Sequence, residues 1–271
     1  MTHLQPILLL AARDIRLALK NRSVSIPMIV LPAVLLIIMP IFLLRSIMGA
    51  GGENILSNLQ PMLESLPASA AFLAELPPVE LGIILVTHYL LAPMFLIIPL
   101  MVASVLGAES FAGEKERGTL EALLYTPLNR MQLLAGKTLA AVAPAIILAW
   151  ASFFAYSVIV NLVAWPVMHR MFFPPMMWWV LMLWVVPASA VLSLAVIVMV
   201  SMKANSFMEA FQLGGLVVMP VVALLLAQAA GVIFLSPLIM FLVGLAFWLV
   251  TAILIKILRR TLLSGDLIRT I

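Results

Sequence analysis

The sequence predicts an all-α, polytopic membrane protein with six transmembrane helices, and its composition, apolar runs and charge distribution each indicate this fold class. The chain is 65% hydrophobic and 10% charged, and its mean hydropathy is +1.23. A soluble domain of 271 residues does not have this composition. Six apolar runs each reach the ~20 residues that a helix needs to cross a bilayer. The chain contains no cysteine, which excludes disulfides and cysteine-ligated metals.

The apolar runs define the predicted spans in chain order. We place them at 24–44, 81–107, 138–161, 177–201, 211–230 and 236–257. Proline recurs inside them, at Pro32, Pro40, Pro93, Pro99, Pro144, Pro187 and Pro220. Because proline removes a helical hydrogen bond and crowds the preceding turn, we expect irregular helices rather than straight rods.

Lysine and arginine lie almost entirely on one side of the predicted membrane. The N-terminal segment, the connection 109–137, the connection after the fourth span and the C-terminal segment hold 13 of the 15 basic residues. Only Arg45 and Arg170 fall on the other side. Since basic residues mark the cytoplasmic side, both chain ends and the 109–137 connection are predicted to be cytoplasmic. The expected location is the plasma (inner) membrane.

Residues 4–21 precede the first span and have two helical faces. One face is basic and consists of Arg13, Arg16 and Lys20. Another is apolar and consists of Ile7, Leu8, Ala11, Ile15 and Leu19. A helix with these two faces lies in the membrane surface rather than across it. The segment is therefore predicted to be an interfacial helix that leads into the first span.

The connection 46–80 is the long loop predicted on the extracytoplasmic side. After three glycines it carries apolar residues at helical spacing, namely Ile55, Leu56, Leu59, Met62, Leu63 and Leu66. Such a stripe fits two arrangements: a helix that caps the exit of a translocation path, or a helix that rests on the outer leaflet. Both arrangements stay open at this point.

The connection 109–137 is the most informative segment, because it holds eight of the chain's 26 charged residues between two apolar spans. A polar segment of this kind is expected to sit in water at the membrane face. Gly118 breaks its charged run, and Thr119–Thr126 has leucines at helical spacing. Pro127 disfavours helix at the residue before it and ends this short helix. Its leucine stripe needs a partner, either this chain's own spans or another protein.

The residues from Glu114 onward resemble a family signature. The pattern Glu114-x-Glu116-x-Gly118-Thr119-Leu120-Glu121-x-Leu123-Leu124-x-Thr126-Pro127, followed by Gly136-Lys137, is similar to that of the type-2 ABC exporter permeases. In that family the motif forms the first cytoplasmic loop and its short coupling helix, which docks on a separate ATPase subunit. The resemblance implies ATPase coupling for Glu114, Glu116, Gly118, Thr119, Leu120, Glu121, Leu123, Leu124 and Pro127. It favours docking of the leucines on a partner, with the glutamates facing basic residues of the ATPase.

The resemblance also implies the architecture around this loop. The whole chain, 1–271, would be a single permease domain of a prokaryotic exporter, with residues 4–21 as an elbow helix or, alternatively, a lipid-surface anchor. It would pair with a second permease unit, identical or related, and with cytoplasmic ABC ATPase subunits that hold ATP and Mg²⁺. Neither a cofactor of its own nor a nucleic-acid partner is expected. Two other functions stay open: a membrane unit that passes ATPase motion to an extracytoplasmic partner, and a self-sufficient carrier or channel.

A nucleotide site on this chain is not expected. Leu134–Thr138 contains the Gly-Lys-Thr that ends a phosphate-binding loop, but Met131 stands where that loop needs its first glycine. The predicted spans also contain almost no ionisable side chains, whereas proton- and sodium-coupled carriers place carboxylates near mid-membrane. Both observations favour an energy source outside the chain.

Other polar residues are interpreted mainly as structural. His88 and Tyr89 are predicted to form an interfacial pair rather than a proton site. Ser206–Glu209 is a capping box that begins the fifth span, or a second contact with the ATPase. Methionine and imidazole are soft ligands for copper(I), but methionine is also common filler in apolar helices, so no metal is predicted at the outer cluster. That cluster consists of Met168, His169, Met171, Met176 and Met177.

Overall fold

The computed structural model describes residues 5–49, 57, 59–64, 70, 73, 75–119 and 130–263. Six helices are long and apolar enough to cross a membrane, as predicted. They run Arg22–Met48, Pro78–Glu116, Met131–Met168, Met176–Ser201, Phe207–Ala229 and Pro237–Arg260. The described residues contain no strand, so the all-α fold class with six spans is confirmed.

A helix over Gln5–Lys20 precedes the first span and packs on the third span. Its buried stripe consists of Leu10, Ala11, Asp14 and Ala18. Leu8 and Leu19 of the predicted apolar face are exposed on the bundle, so they do not pack on protein. The face that packs on protein consists of two small residues, one leucine and one acidic residue, and it shares Ala11 with the predicted apolar face. The interfacial position of this helix stays a prediction.

The second span is the centre of the bundle. In the most apolar stretch of the second span, 78% of the residues are buried, and in the most apolar stretch of the fourth span, 56% are buried. The corresponding share in each of the other four spans is between 17% and 28%. Small residues allow the central packing: a Cβ at Gly107 would lie 2.7 Å from Cγ2 of Ile197, and a Cβ at Gly214 would overlap its Cδ1. Ile197 of the fourth span thus fills space left by glycines of the second and fifth spans.

Hydrogen bonds join the same central pair of spans. The hydroxyls of Ser104 and Ser193 lie 2.6 Å apart, and Ser193 also donates to the carbonyl of Leu100 at 2.7 Å. Short hydroxyl side chains of this kind link membrane helices without an unpaired polar group. The second and fourth spans are therefore held by both close packing and polar contacts.

Four π-helical turns interrupt the described spans, at Val34–Ile38, Leu85–Leu90, Glu109–Gly113 and Leu181–Val185. In three of these turns one residue lies four positions before a proline. The three prolines are Pro40, Pro93 and Pro187. Since a proline ring crowds the carbonyl four residues before it, a wider turn relieves the clash. The turn at Glu109–Gly113 has no such proline and requires another cause.

The described part of the 46–80 connection folds back on the bundle. A short helix, Gln60–Glu64, packs on the fifth span, and Met62 is fully buried. The carbonyl of Pro61 occupies the position of a Cβ at Gly231, whose φ of +70° also favours glycine. The described part of the stripe therefore packs on the fifth span, and both arrangements predicted for the loop stay open. Ile55, Leu56 and Leu66 of the predicted stripe lie outside the described residues.

Candidate coupling site

The charged 109–137 segment is helical at both ends, where its charge predicts a loop. The second span continues to Glu116, and the next helix begins at Arg130. Three charged side chains within these helices are almost fully buried: Glu109 is 7% exposed, Glu114 is 4% exposed and Lys137 is 1% exposed. The expectation that the segment sits in water is wrong for these three, because they are buried in the protein beside oppositely charged partners.

Six charged side chains lie together at one end of the bundle, where the N-terminal helix meets the second and third spans, and we call these side chains the ion network. Four of them are linked to one another by ion pairs, and the other two form a separate pair. We call this end of the bundle the basic end, because the sequence gathers most of its lysine and arginine here. The members are Arg13, Asp14, Glu109, Glu114, Arg117 and Lys137. Three cations face three carboxylates, so the network has no net formal charge. This mutual pairing offsets the desolvation that burial of each charge would otherwise cost.

Lys137 is the centre of the network. Its Nζ lies 2.6 Å from Oε2 of Glu114 and donates to the carbonyl of Ser110, also at 2.6 Å. Oδ2 of Asp14 lies 3.5 Å away, and the centroid of the Phe111 ring lies 5.4 Å away. One ammonium group of the third span thus contacts both the second span and the N-terminal helix.

The Ser110 carbonyl, which Lys137 contacts, lies within the π turn Glu109–Gly113. At the end of this turn the amide of Glu114 donates to the carbonyl of Phe111. The ammonium of Lys137 adds a charged donor to the carbonyl of Ser110. The one described π turn that no proline explains is therefore bonded directly to the ion network.

Asp14 is the most weakly bonded carboxylate of the network. Burial raises its pKa above the ordinary 3.8, Lys137 opposes this rise, Glu114 adds to it and Arg13 opposes it. Within the described residues its Oδ2 makes no hydrogen bond, so its contact with Lys137 is electrostatic. Nη1 of Arg13 lies 3.5 Å from Oδ1 of Asp14 and 3.8 Å from Oε1 of Glu114.

A second ion pair completes the network. Nη1 of Arg117 lies 3.0 Å from Oε1 of Glu109, and Nδ2 of Asn21 donates to Oε2 of Glu109 at 3.5 Å. Gly113 leaves room for this pair, because a Cβ there would lie 2.9 Å from Oε2 of Glu109. Asn21 also caps the first span by accepting a hydrogen bond from the amide of Ser23 at 3.1 Å. The network therefore reaches the start of the first span.

Gly118 and Thr119 close the end of the second span, as the sequence predicts for Gly118. Gly118 has a φ of +66°, and its amide donates to the carbonyl of Lys115 at 3.0 Å. Oγ1 of Thr119 donates to the carbonyl of Glu114 at 3.2 Å. These bonds satisfy carbonyls at the helix end. The remaining motif residues, Leu120, Glu121, Leu123, Leu124 and Pro127, lie outside the described residues.

The connection between the fourth and fifth spans is tied to the same helix end. Oε2 of Glu116 accepts a hydrogen bond from the amide of Phe207 at 2.8 Å, and Nζ of Lys115 donates to the carbonyl of Ala204 at 3.3 Å. Glu114 and Glu116, which the resemblance assigns to an ATPase, thus have partners in their own chain. The Glu114 carboxylate is buried and the Glu116 carboxylate is hydrogen-bonded, so both help to fix the end of the second span, where the loop begins.

The capping box predicted at Ser206–Glu209 is confirmed. Oγ of Ser206 accepts a hydrogen bond from the amide of Glu209 at 3.2 Å. The Glu209 carboxylate in turn accepts one from the amide of Asn205 at 2.8 Å. The fifth span therefore begins with both of these amides satisfied.

Gly136 and Lys137 both make contacts within the protein. Both lie inside the helix Arg130–Met168, and a Cβ at Gly136 would lie 2.7 Å from Cδ2 of Leu10. Gly136 thus admits the N-terminal helix, while Lys137 is bonded within the protein. Sequence reasoning missed Asp14 as their partner. The available signal was that Asp14 is the single acidic residue among the basic and apolar residues 4–21.

His88 differs from its predicted setting. It is 8% exposed, and its ring stacks on Phe172 with centroids 5.5 Å apart, closer than the 6.2 Å to Tyr89. His88 therefore lies in an aromatic cluster inside the bundle rather than in an interfacial pair. The cluster forms because the turn after the third span brings Phe172 and Phe173 onto the second span.

The outer methionines do not share one site. Met168 and Met177 are 5% and 3% exposed, whereas Met171 and Met176 are 84% and 70% exposed. Among the described residues no group of three or more His, Cys, Asp or Glu is placed to hold a metal ion. Buried and exposed members of the cluster therefore face different surroundings.

The sequence matches the family described as ABC-2 family transporter protein over residues 8–258, which is most of the chain. The matched region includes all six members of the ion network. No curated protein and no solved structure gives a significant match. The chain therefore belongs to the ABC-2 transporter family, as a multi-pass permease component that is not itself catalytic.

Proposed function

We propose that this chain is the membrane-spanning subunit of an ATP-driven exporter. It forms the translocation pathway with a second permease unit, identical or related, and cytoplasmic ABC ATPase subunits that bind ATP and Mg²⁺ power it. Family membership supports the permease role. The observation that carries the coupling role is the ion network, because it joins both ends of the 109–137 connection to the N-terminal helix.

In this proposal the motif residues divide into a base, which is bonded within the chain, and a tip between Gly118 and Pro127, which meets the ATPase. Glu114 bonds to Lys137 across the two ends of the loop, and Glu116 bonds to the connection before the fifth span. A force on the tip would reach the second, third and fifth spans through these bonds. In the exporter, ATP-driven closure of the ATPases moves the tip, and the base passes that motion to the spans.

The tip docks through its apolar stripe. Leu120, Leu123 and Leu124 enter a groove on the ATPase, and burial of one leucine is worth ~1.5–3 kcal/mol. Glu121 faces a basic residue of the partner and contributes specificity more than affinity. Gly118 and Pro127 delimit the tip as a short, stiff element.

The basic end faces the cytoplasm of a prokaryotic cell, where the ATPases are. The bias of 13 basic residues against two supports this orientation, in which both chain ends are cytoplasmic. The predicted spans lack mid-membrane carboxylates, which favours an external energy source over a self-coupled carrier. Their apolar character favours a hydrophobic or amphipathic cargo.

The substitution Leu123→Glu tests this function. A charge at this position loses the leucine's burial and places an unpaired ion in an apolar groove. We expect the variant to insert normally but to release the ATPase, or to hydrolyse ATP without transport. Membrane abundance, ATPase co-purification and ATP-dependent transport in vesicles should be measured on one preparation.

The matched control is Met131→Glu, which adds the same charge at a side chain that is 75% exposed. It should keep both the ATPase and transport. Normal transport with bound ATPase in Leu123→Glu would contradict the docking role. Loss of that variant from the membrane would instead indicate that the leucines pack on their own chain.

A further inference from the structure

The N-terminal helix meets the third span through two adjacent contacts. Leu10 packs on Gly136, where a Cβ would lie 3.2 Å from the Cβ of Leu10. One helical turn later, Asp14 lies 3.5 Å from Nζ of Lys137, the residue next to Gly136. Sliding either helix by one turn, about 5.4 Å, would separate both pairs. Together these contacts permit one register between the two helices.

Asp14 is the unusual member of this interface. It is the single acidic residue of the helix Gln5–Lys20, and it lies on the buried stripe beside Leu10, Ala11 and Ala18. An apolar residue there would pack without desolvation of a charge. Buried ionic groups with apolar neighbours are best attested as devices that set register rather than as sources of stability.

The same helix is joined to the first and second spans. Nη1 of Arg13 lies 3.8 Å from Oε1 of Glu114, and Asn21, which caps the first span, donates to Glu109. Lys137 binds Glu114 and lies beside Asp14 at once. Moving one helix away from the others would leave a buried charge without its partner.

We propose that Asp14 is a positioning residue that holds the N-terminal helix, here called the arm, in one register on the third span, so that the arm moves as one rigid body with the end of the second span and the start of the third. The inference rests on the proposed function, in which the resemblance already implies an elbow helix, and it names the residue on which transmission through that helix depends. It adds a route to the first span, because this arm continues through Asn21 into Arg22–Met48.

The substitution Asp14→Asn removes the charge at nearly constant volume and leaves the bond between Lys137 and Glu114. Membrane abundance, unfolding midpoint and ATPase co-purification should stay at or above wild-type levels, while transport per ATP hydrolysed falls about tenfold. Asp14→Glu, which keeps a carboxylate, should recover most of the coupling. Arg16→Gln, on the exposed face of the same helix, is the control and should couple normally.

A disulfide tests the rigid body directly in this cysteine-free chain. Leu10→Cys with Gly136→Cys places two Cβ atoms near the ~3.5–4.5 Å separation that a disulfide requires. Mild oxidation should form the bond, and the locked protein should transport at the rate of its reduced form. Transport that is lost on oxidation and restored by a reductant would overturn the proposal, because the arm would then have to slide. Failure of the bond to form would contradict the contact itself.

The outcomes separate this inference from the proposed function. If the wild-type protein binds no ATPase and shows no ATP-dependent transport, the proposed function fails, while the disulfide still reports on the register of the two helices. If Asp14→Asn couples like the wild type, the positioning role fails and the exporter function stands. Loss of Asp14→Asn from the membrane would assign Asp14 to folding and would also overturn its positioning role.

Discussion

The second span contains two π turns whose carbonyls accept side-chain hydrogen bonds from opposite kinds of donor. In the turn Leu85–Leu90, the carbonyl of Thr87 accepts a bond from the Tyr156 hydroxyl and that of His88 accepts one from the Trp178 indole, both at 3.0 Å. In the turn Glu109–Gly113, the carbonyl of Ser110 accepts a bond from the ammonium of Lys137. We call Leu85–Leu90 the outer turn, because it is farther from the basic end, and Glu109–Gly113 the inner turn. The outer turn uses neutral donors and the inner turn uses an ion.

The position of each turn explains the choice of donor. The outer turn lies within an apolar span, where a cation is expensive and a phenol or an indole supplies a donor at little desolvation. The inner turn lies at the basic end, where carboxylates and cations neutralise one another. The outer turn also has a local cause in Pro93, whereas the inner turn depends on residues brought together by the fold. The inner turn is therefore the one that a single charge change should disrupt.

The largest expected effect comes from Lys137→Met. It leaves the carboxylates of Asp14 and Glu114 buried side by side and the Ser110 carbonyl without its donor. Removing one partner of a buried ion pair typically costs ~3–5 kcal/mol of unfolding free energy. Thermal or denaturant unfolding of the purified protein in detergent measures this loss.

The control for this prediction is Lys20→Met, the same substitution at an exposed residue of the N-terminal helix. It should change the unfolding free energy by less than ~0.5 kcal/mol. Equal stability of the Lys137→Met and Lys20→Met variants would show that the network does not hold the basic end.

Several features of this fold have causes that can be read from neighbouring residues in the sequence. Six spans follow from apolar length, the capping box at Ser206–Glu209 follows from local spacing, and the break at Gly118 follows from backbone freedom. The π turns beside prolines are likewise local. Each of these features depends on residues within one continuous stretch of the chain, so the printed sequence contains its cause.

The ion network could not be predicted in the same way. Glu114 and Lys137 are 23 positions apart, and Asp14 is further still from both. Charged residues between apolar runs resemble a solvated loop until their partners are known. The buried face of the N-terminal helix, on which the partner of Lys137 lies, shares only Ala11 with the apolar face predicted from periodicity. The motif drew attention to the segment, but the contacts of Glu114 and Glu116 required the fold.

A smaller effect is expected at the outer turn from Tyr156→Phe. The change removes one neutral donor from the carbonyl of Thr87 and keeps the packing of the ring. Single hydrogen bonds inside membrane proteins are worth ~0.6 kcal/mol on average and ~1.7 kcal/mol at most, so the loss should be at most about one third of that for Lys137→Met. Unfolding of both variants under identical conditions provides the measurement, and Tyr89→Phe at a partly buried tyrosine is the control. A Tyr156→Phe loss as large as that of Lys137→Met would remove the distinction between neutral and ionic support.

The smallest expected effect is a pH dependence carried by Asp14. Because burial raises its pKa above 3.8, the folded protein holds this proton more tightly than the unfolded chain. The resulting stabilisation is complete below pH 3.8 and is lost as the pH rises through the raised pKa. Each tenfold difference in proton affinity is worth ~1.4 kcal/mol. The Asp14→Asn variant has no proton to lose at this position. Its unfolding free energy should therefore match that of the wild type at low pH and exceed it increasingly as the pH rises from 3.8 through the raised pKa. Above the raised pKa the difference between the two proteins should be constant. Unfolding of both proteins across the same pH series tests this, and a difference that does not change with pH would show that Lys137 and Arg13 cancel the effect of burial.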